Sequence, residues 1–185
     1  ILGRVDAVVY DYLANRAFLD FARPDAELIY VGKKGGEHTL PQAEINRLLV
    51  DLGRSGKSVA RLKGGDPFIF GRGGEEAEVL VAAGVPFEVV PGVTAGAAAA
   101  AYAGIPVTQR GLSSSVAFIT GHEDAGKTAS AHDWAALAHG SETLVFYMGM
   151  KNLPEICRNL LEAGLPAGRP AAVVQWGTTP RQRAL

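Results

Sequence analysis

Arg61-Leu62-Lys63-Gly64-Gly65-Asp66-Pro67-Phe68-Ile69-Phe70-Gly71-Arg72-Gly73-Gly74-Glu75-Glu76 reads as a short strand that empties into a glycine-rich turn and then starts a helix. Glycines without Cβ expose their backbone N–H groups and let a ligand approach closely. Asp66, at the carboxyl end of a strand, is placed to bond a ribose hydroxyl or an ammonium group. Composition alone also allows a Gly-Asp-Pro turn that merely reverses the chain. In open α/β sheets, however, ligands sit at the carboxyl ends of strands. Glu75 and Glu76 complement the positive end of a helix dipole, and Gly84 can close that helix in the left-handed conformation.

Outward from this stretch, apolar runs rich in β-branched residues alternate with segments of helical period, the pattern of parallel strands joined by helices. The fold class is α/β. Strands are expected at Val5–Tyr10, Glu27–Val31, Ser58–Leu62 and Phe87–Val90. Ile45, Leu48, Leu49 and Leu52 fall at i, i+3, i+4 and i+7, so they give a helix one apolar face, with Pro41 suited to its first turn. A further helix runs from Thr94, a candidate N-cap, through the alanines 97 to 101 to Gly104. The polar, turn-rich run from Thr108 to Ser115 suggests a domain boundary, dividing the chain into residues 1–110 and 111–185. Beyond it, strands are expected at Val116–Thr120, Thr143–Tyr147 and Ala171–Trp176, with helices at Asp133–Ala138 and Pro154–Ala163.

The 185 residues carry 48% hydrophobic and 20% charged side chains, which suits a folded domain and excludes disorder. A formal net charge of -1 gives no global positive field to gather nucleic acid or an acidic membrane. The uncharged stretch Val89–Val107 is broken by Pro91, Gly92, Gly96, Gly104 and Pro106, and is too weakly apolar to span a bilayer. The single cysteine, Cys157, allows no internal disulfide, points to the cytoplasm, and is expected in the core.

A second motif competes for the chemistry. Gly121-His122-Glu123-Asp124-Ala125-Gly126-Lys127-Thr128 satisfies the P-loop pattern and follows an expected strand, with Asp11 as a strand-end carboxylate that could help hold magnesium. Glu123 and Asp124 would repel phosphate inside that loop, and Asp11 precedes it in the chain rather than following it. His38, His122, His132 and His139 have no spacing that pairs two imidazoles, so no metal is expected. Ser113, Ser114 and Ser115 lack the strand-turn-helix setting of a hydrolase nucleophile.

The glycine-rich stretch, taken with Val31-Gly32-Lys33-Lys34, Val90-Pro91-Gly92-Val93-Thr94-Ala95, Thr120-Gly121-His122 and Phe146-Tyr147-Met148-Gly149, resembles the tetrapyrrole methylase family, and within it the uroporphyrinogen-III methylating branch. The order and spacing of these segments match together over nearly the whole chain. The resemblance implies a two-domain α/β homodimer that binds S-adenosylmethionine between its domains. It also implies methylation of two ring carbons of uroporphyrinogen III to give precorrin-2, on the way to siroheme or cobalamin. Carried over by position, Gly64, Gly65, Asp66, Ile69, Thr94, Ala95, Met148 and Gly177 would bind the cofactor. Asp11 is the implied proton acceptor and Lys33 the implied donor, and Arg72 is placed with them in the catalytic set. Methylating a pyrrole carbon leaves a cation that must lose a proton, so an acid and a base belong there. The substrate bears many carboxylates, and Arg72 and Arg110 are the arginines suited to grip them, with Glu75 orienting Arg72 and Met148 also lining the substrate.

In this family the loop after Thr120-Gly121-His122 is variable, which makes the P-loop match look coincidental. Family members normally begin with a strand ending in a G-x-G-P-G-D loop and continue beyond Gly177. The chain is therefore expected to be truncated at both ends, each domain holding a mixed sheet, and to bind the cofactor weakly if isolated. The alternatives are a methylase of a later corrin precursor, a P-loop nucleotide hydrolase, and a non-catalytic fragment.

Overall fold

The helix expected from the spacing of Ile45, Leu48, Leu49 and Leu52 forms over Gln42–Arg54 (α1), with Pro41 at its N-cap. A computed structural model describes residues 1–32, 40–122 and 131–185. They divide into two compact units, Ile1–Val93 and Thr94–Leu185.

In the first unit, β1 (Ala7–Tyr10) lies between β2 (Glu27–Tyr30) and β3 (Val59–Leu62), parallel to both. Tyr10 aligns with Tyr30 on one side and Leu62 on the other, so all three strands finish at the same level. A central strand covered on both faces explains the unbroken Ala-Val-Val run, whose side chains are fully buried. The strand begins after Asp6, because the Asp6 carboxylate accepts the Ser58 N–H (2.9 Å) and hydroxyl (2.7 Å), a polar clasp at the sheet's start. Val9 and Val31 pack against Ile45 and Leu49 of α1, and each such buried side chain contributes about 1.5–3 kcal/mol. Following β3, the glycine-rich turn leads into α2 (Gly73–Ala82). Gly84 closes that helix with φ 68°, its N–H reaching the Val81 carbonyl while Val85 N–H reaches that of Leu80.

The second unit opens with α3 (Ala95–Tyr102). Then β4 (Val116–Thr120) and β5 (Thr143–Tyr147) pair in parallel, with α4 (Trp134–Gly140) and α5 (Leu153–Glu162) beside them in sequence. Ala138, Ile156 and Leu160 form its core with Trp134, Leu144 and Phe146.

Several expectations are corrected. Phe87–Val90 forms no strand; its residues are exposed, and a β-branched run needs a ladder partner to become one. The run Ala171–Trp176 reduces to β6 (Val174–Gln175), which pairs antiparallel with β7 (Arg183–Ala184). The first sheet is wholly parallel rather than mixed. Cys157 is exposed, since Ile156 and Leu160 make the inward face of α5. Within the second unit, which opens at Thr94, α3 packs on β5: the Gly96 N–H donates to the Tyr147 hydroxyl at 2.7 Å.

Candidate active site

In the first unit the site residues gather where β1 and β3 end. Asp11 follows β1 directly. Its Oδ1 accepts the Leu13 N–H and its Oδ2 an N–H from Arg61 Nη2, each at 2.9 Å. Gly64 lies against this turn, since a Cβ placed on it would stand 2.7 Å from the Leu13 carbonyl oxygen. Thus the Asp11 turn and the glycine-rich turn are in contact.

Asp66 ties the glycine-rich turn to the Pro91-Gly92 segment. Its Oδ1 accepts the Phe68 N–H at 2.9 Å and its Oδ2 the Gly92 N–H at 3.0 Å. These bonds, Gly92 first and Phe68 next, hold its carboxyl below the usual carboxylate range. Gly92 is required there, because a Cβ on it would meet the Gly65 carbonyl oxygen at 2.2 Å. Each Asp66 oxygen keeps a second lone pair for a ligand hydroxyl or ammonium. Ile69, in the same turn, is exposed.

Arg72 takes the left-handed conformation, φ 57°, at the N-cap of α2. Its Nε and Nη2 donate to the two Glu75 oxygens at 2.8 and 2.7 Å, a bidentate pair at the surface. The pairing lowers the pKa of Glu75 and raises that of Arg72.

Sequence reasoning left one group without a role. Arg61 Nε donates to Glu76 Oε1 at 3.1 Å, and the two Glu76 oxygens receive Lys63 Nζ at 3.2 and 3.1 Å. Gln42 of α1 adds a bond at 3.2 Å. Glu76 is 5% exposed, the buried charged residue among those described. Burial, and then the neighbouring Arg61 charge, pull the Lys63 ammonium below its ordinary pKa against the opposing effect of Glu76. Gly73, Glu76 and Leu80 share one face of α2, and Leu80 packs on the core, so the phase of the helix turns Glu76 inward.

In the second unit, Thr94 is the N-cap of α3, but its side chain does not cap the helix. Its hydroxyl shares a 2.6 Å hydrogen bond with the Tyr147 hydroxyl at the end of β5. Ala95 opens the helix. Met148 follows Tyr147 with φ 56° and is 60% exposed. Gly177 lies against α3, where a Cβ would come within 2.3 Å of the Ala99 Cβ. Thr94, Ala95 and Gly177 are therefore brought to α3, and Thr94 to the end of the strand that Met148 follows. Arg110 is exposed in the connection before β4 and is not drawn into this group. Lys33 and the P-loop residues Glu123–Thr128 lie outside the described residues. Among the described residues no cluster of His, Cys, Asp and Glu could hold a metal ion.

Residues 1–185 match the Tetrapyrrole (Corrin/Porphyrin) Methylases throughout. The chain belongs to this family. Among tetrapyrrole methylases it is 53% identical to the uroporphyrinogen-III C-methyltransferase of Bacillus subtilis, over all of this chain and 71% of that protein. It is 54% identical to the siroheme synthase of Azotobacter vinelandii, of which it spans 39%. A solved tetrapyrrole methylase from Thermus thermophilus, a uroporphyrin-III C-methyl transferase complexed with S-adenosylhomocysteine, aligns with a TM-score of 0.82 at 40% identity, covering 100% of this chain and 76% of that one.

Proposed function

We propose that this tetrapyrrole methylase transfers methyl groups from S-adenosylmethionine to two ring carbons of uroporphyrinogen III, giving precorrin-2 for siroheme or cobalamin. It would act as a homodimer in the cytosol. The observation that carries this reading is the 53% identity, through the whole chain, to a uroporphyrinogen-III C-methyltransferase.

The residues fit the cofactor. Asp66 has lone pairs for ribose or ammonium, the glycines 64 and 65 beside it are exposed, and Ile69 in the first unit and Met148 in the second each offer exposed apolar surface. Thr94, Ala95 and Gly177 complete the set. When bound, S-adenosylmethionine supplies an electrophilic methyl group. Asp11 accepts the proton that the cationic, methylated tetrapyrrole must lose from a position other than the new quaternary carbon, with Lys33 as the proton donor of the pair. Such acid and base groups contribute typically ~10²–10⁴-fold. Arg72, held by Glu75, keeps N–H groups on Nη1 and Nη2 to bind a substrate carboxylate, with Arg110 and Met148 as further substrate contacts.

Calorimetric titration of the full-length protein with S-adenosylhomocysteine, and separately with ATP and magnesium, tests this reading. Binding of the first alone is expected. Binding of ATP alone would restore the P-loop reading and remove the methyltransferase.

A further inference from the structure

We infer that Glu76 is a positioning residue for the methyl transfer: acting through Arg61, it fixes the carboxylate of Asp11. The inference rests on the reading of Asp11 as proton acceptor. Arg61 reaches Asp11 with one nitrogen only, Nη2. A guanidinium is planar and rigid, so the direction of that nitrogen is set by what holds the others. Its Nη1 donates to the carbonyls of Leu62 at 3.0 Å and Val9 at 3.4 Å, and its Nε to Glu76.

Glu76 is in turn clamped from two elements, by Lys63 of the segment after β3 and Gln42 of α1. Gln42 is itself braced by its bond to Asn46 at 2.8 Å. Among the described residues, the Asp11 carboxylate receives otherwise only the local N–H of Leu13, two residues away. Arg61 is thus the link between the Asp11 carboxylate and the sheet, and Glu76 is the buried anchor of Arg61. Side-chain exposure falls along this chain of contacts, from 21% at Asp11 to 13% at Arg61 and 7% at Glu76. Two cations, Arg61 and Lys63, face two anions, Asp11 and Glu76. Removing the Glu76 charge leaves both cations to a single carboxylate, the one proposed to take the proton.

The test measures kcat, the KM for S-adenosylmethionine and the melting temperature of the full-length enzyme, with radiolabelled methyl donor and uroporphyrinogen III. The variants are Glu76→Gln, Asp11→Asn and the double variant. Glu76→Gln is expected to lower kcat about 10²-fold, the effect of a small misplacement of a reacting group, with KM for the cofactor unchanged. In the Asp11→Asn background the same change should have no further effect on kcat, because the two residues act as one unit. Arg61→Lys should reproduce the pattern and serves where Glu76→Gln does not fold. Parental kcat in Glu76→Gln, or an equal loss in both backgrounds, overturns the inference alone. Parental kcat in Asp11→Asn overturns the reading of Asp11 itself, and this inference with it.

Discussion

Asp66 shows how one side chain can hold a binding loop and remain open to a ligand. Its two backbone bonds favour the ionised form, so its folded pKa lies below 3.8. The stability these bonds contribute is fully present above that value and is lost as pH falls through the lower folded one. Asp66→Ala should therefore melt below the parent at neutral pH, and the difference should shrink as the pH is lowered past 3.8. Circular dichroism melts across that range check this, and a constant difference would contradict it. Gly92→Ala forces a Cβ onto the Gly65 carbonyl and should cost about 1–3 kcal/mol of stability, with weaker S-adenosylhomocysteine binding. Arg72→Ala removes only a surface pair, worth ~1 kcal/mol at most, so melting should hardly move while KM for the tetrapyrrole rises. Parental kinetics would remove Arg72 from the site. The pairing of Arg72 with Glu75 was legible as a three-residue spacing at a helix start. The burial of Glu76 was not, because two adjacent glutamates read alike until the phase of α2 turns one toward β3.

At the scale of elements, the sequence punctuates its helices clearly. Gly56, Gly84, Gly104 and Gly164 each follow a helix with positive φ and donate the same closing bond to the carbonyl three residues back, so the ends of α1, α2, α3 and α5 could be read from glycine placement. Strands were less legible. Phe87–Val90 has the composition of a strand without a partner, whereas β7 contains only Arg183 and Ala184 and is defined wholly by its pairing with β6. The alanine-rich helix carries its reason in Gly96: a Cβ there would meet the Tyr147 hydroxyl at 2.6 Å, and Phe118 and Val145 at 2.9 Å. Gly96→Val should lift α3 from β5 and destabilise the protein by about 1–3 kcal/mol. Tyr147→Phe leaves the Gly96 N–H and the Thr94 hydroxyl without their bridge and should cost ~1–3 kcal/mol. Urea unfolding followed by tryptophan fluorescence reads both, since Trp134 packs in that unit's core and stacks on Phe146. Unchanged midpoints would show that α3 does not depend on this contact.

Across the whole molecule, the order of segments carried more information than any one of them. The P-loop pattern over residues 121–128 is locally complete, yet it makes no use of the other motifs. The glycine-rich turn, the Pro91-Gly92 segment and the Tyr147-Met148 strand end answer jointly to one family, and the match extends over residues 1–185. Local pattern could not supply the long-range contacts inside each unit, the Asp66–Gly92 bond in the first and the Thr94–Tyr147 bridge in the second, because they join positions far apart in the chain. Methyl transfer itself gives the most direct test. The full-length protein is incubated without oxygen with uroporphyrinogen III and S-adenosylmethionine, and the tetrapyrrole is weighed by mass spectrometry. The account predicts a product carrying two added methyl groups, lost in Asp11→Asn. A tetrapyrrole of unchanged mass, from protein that binds S-adenosylhomocysteine, would contradict the proposed substrate.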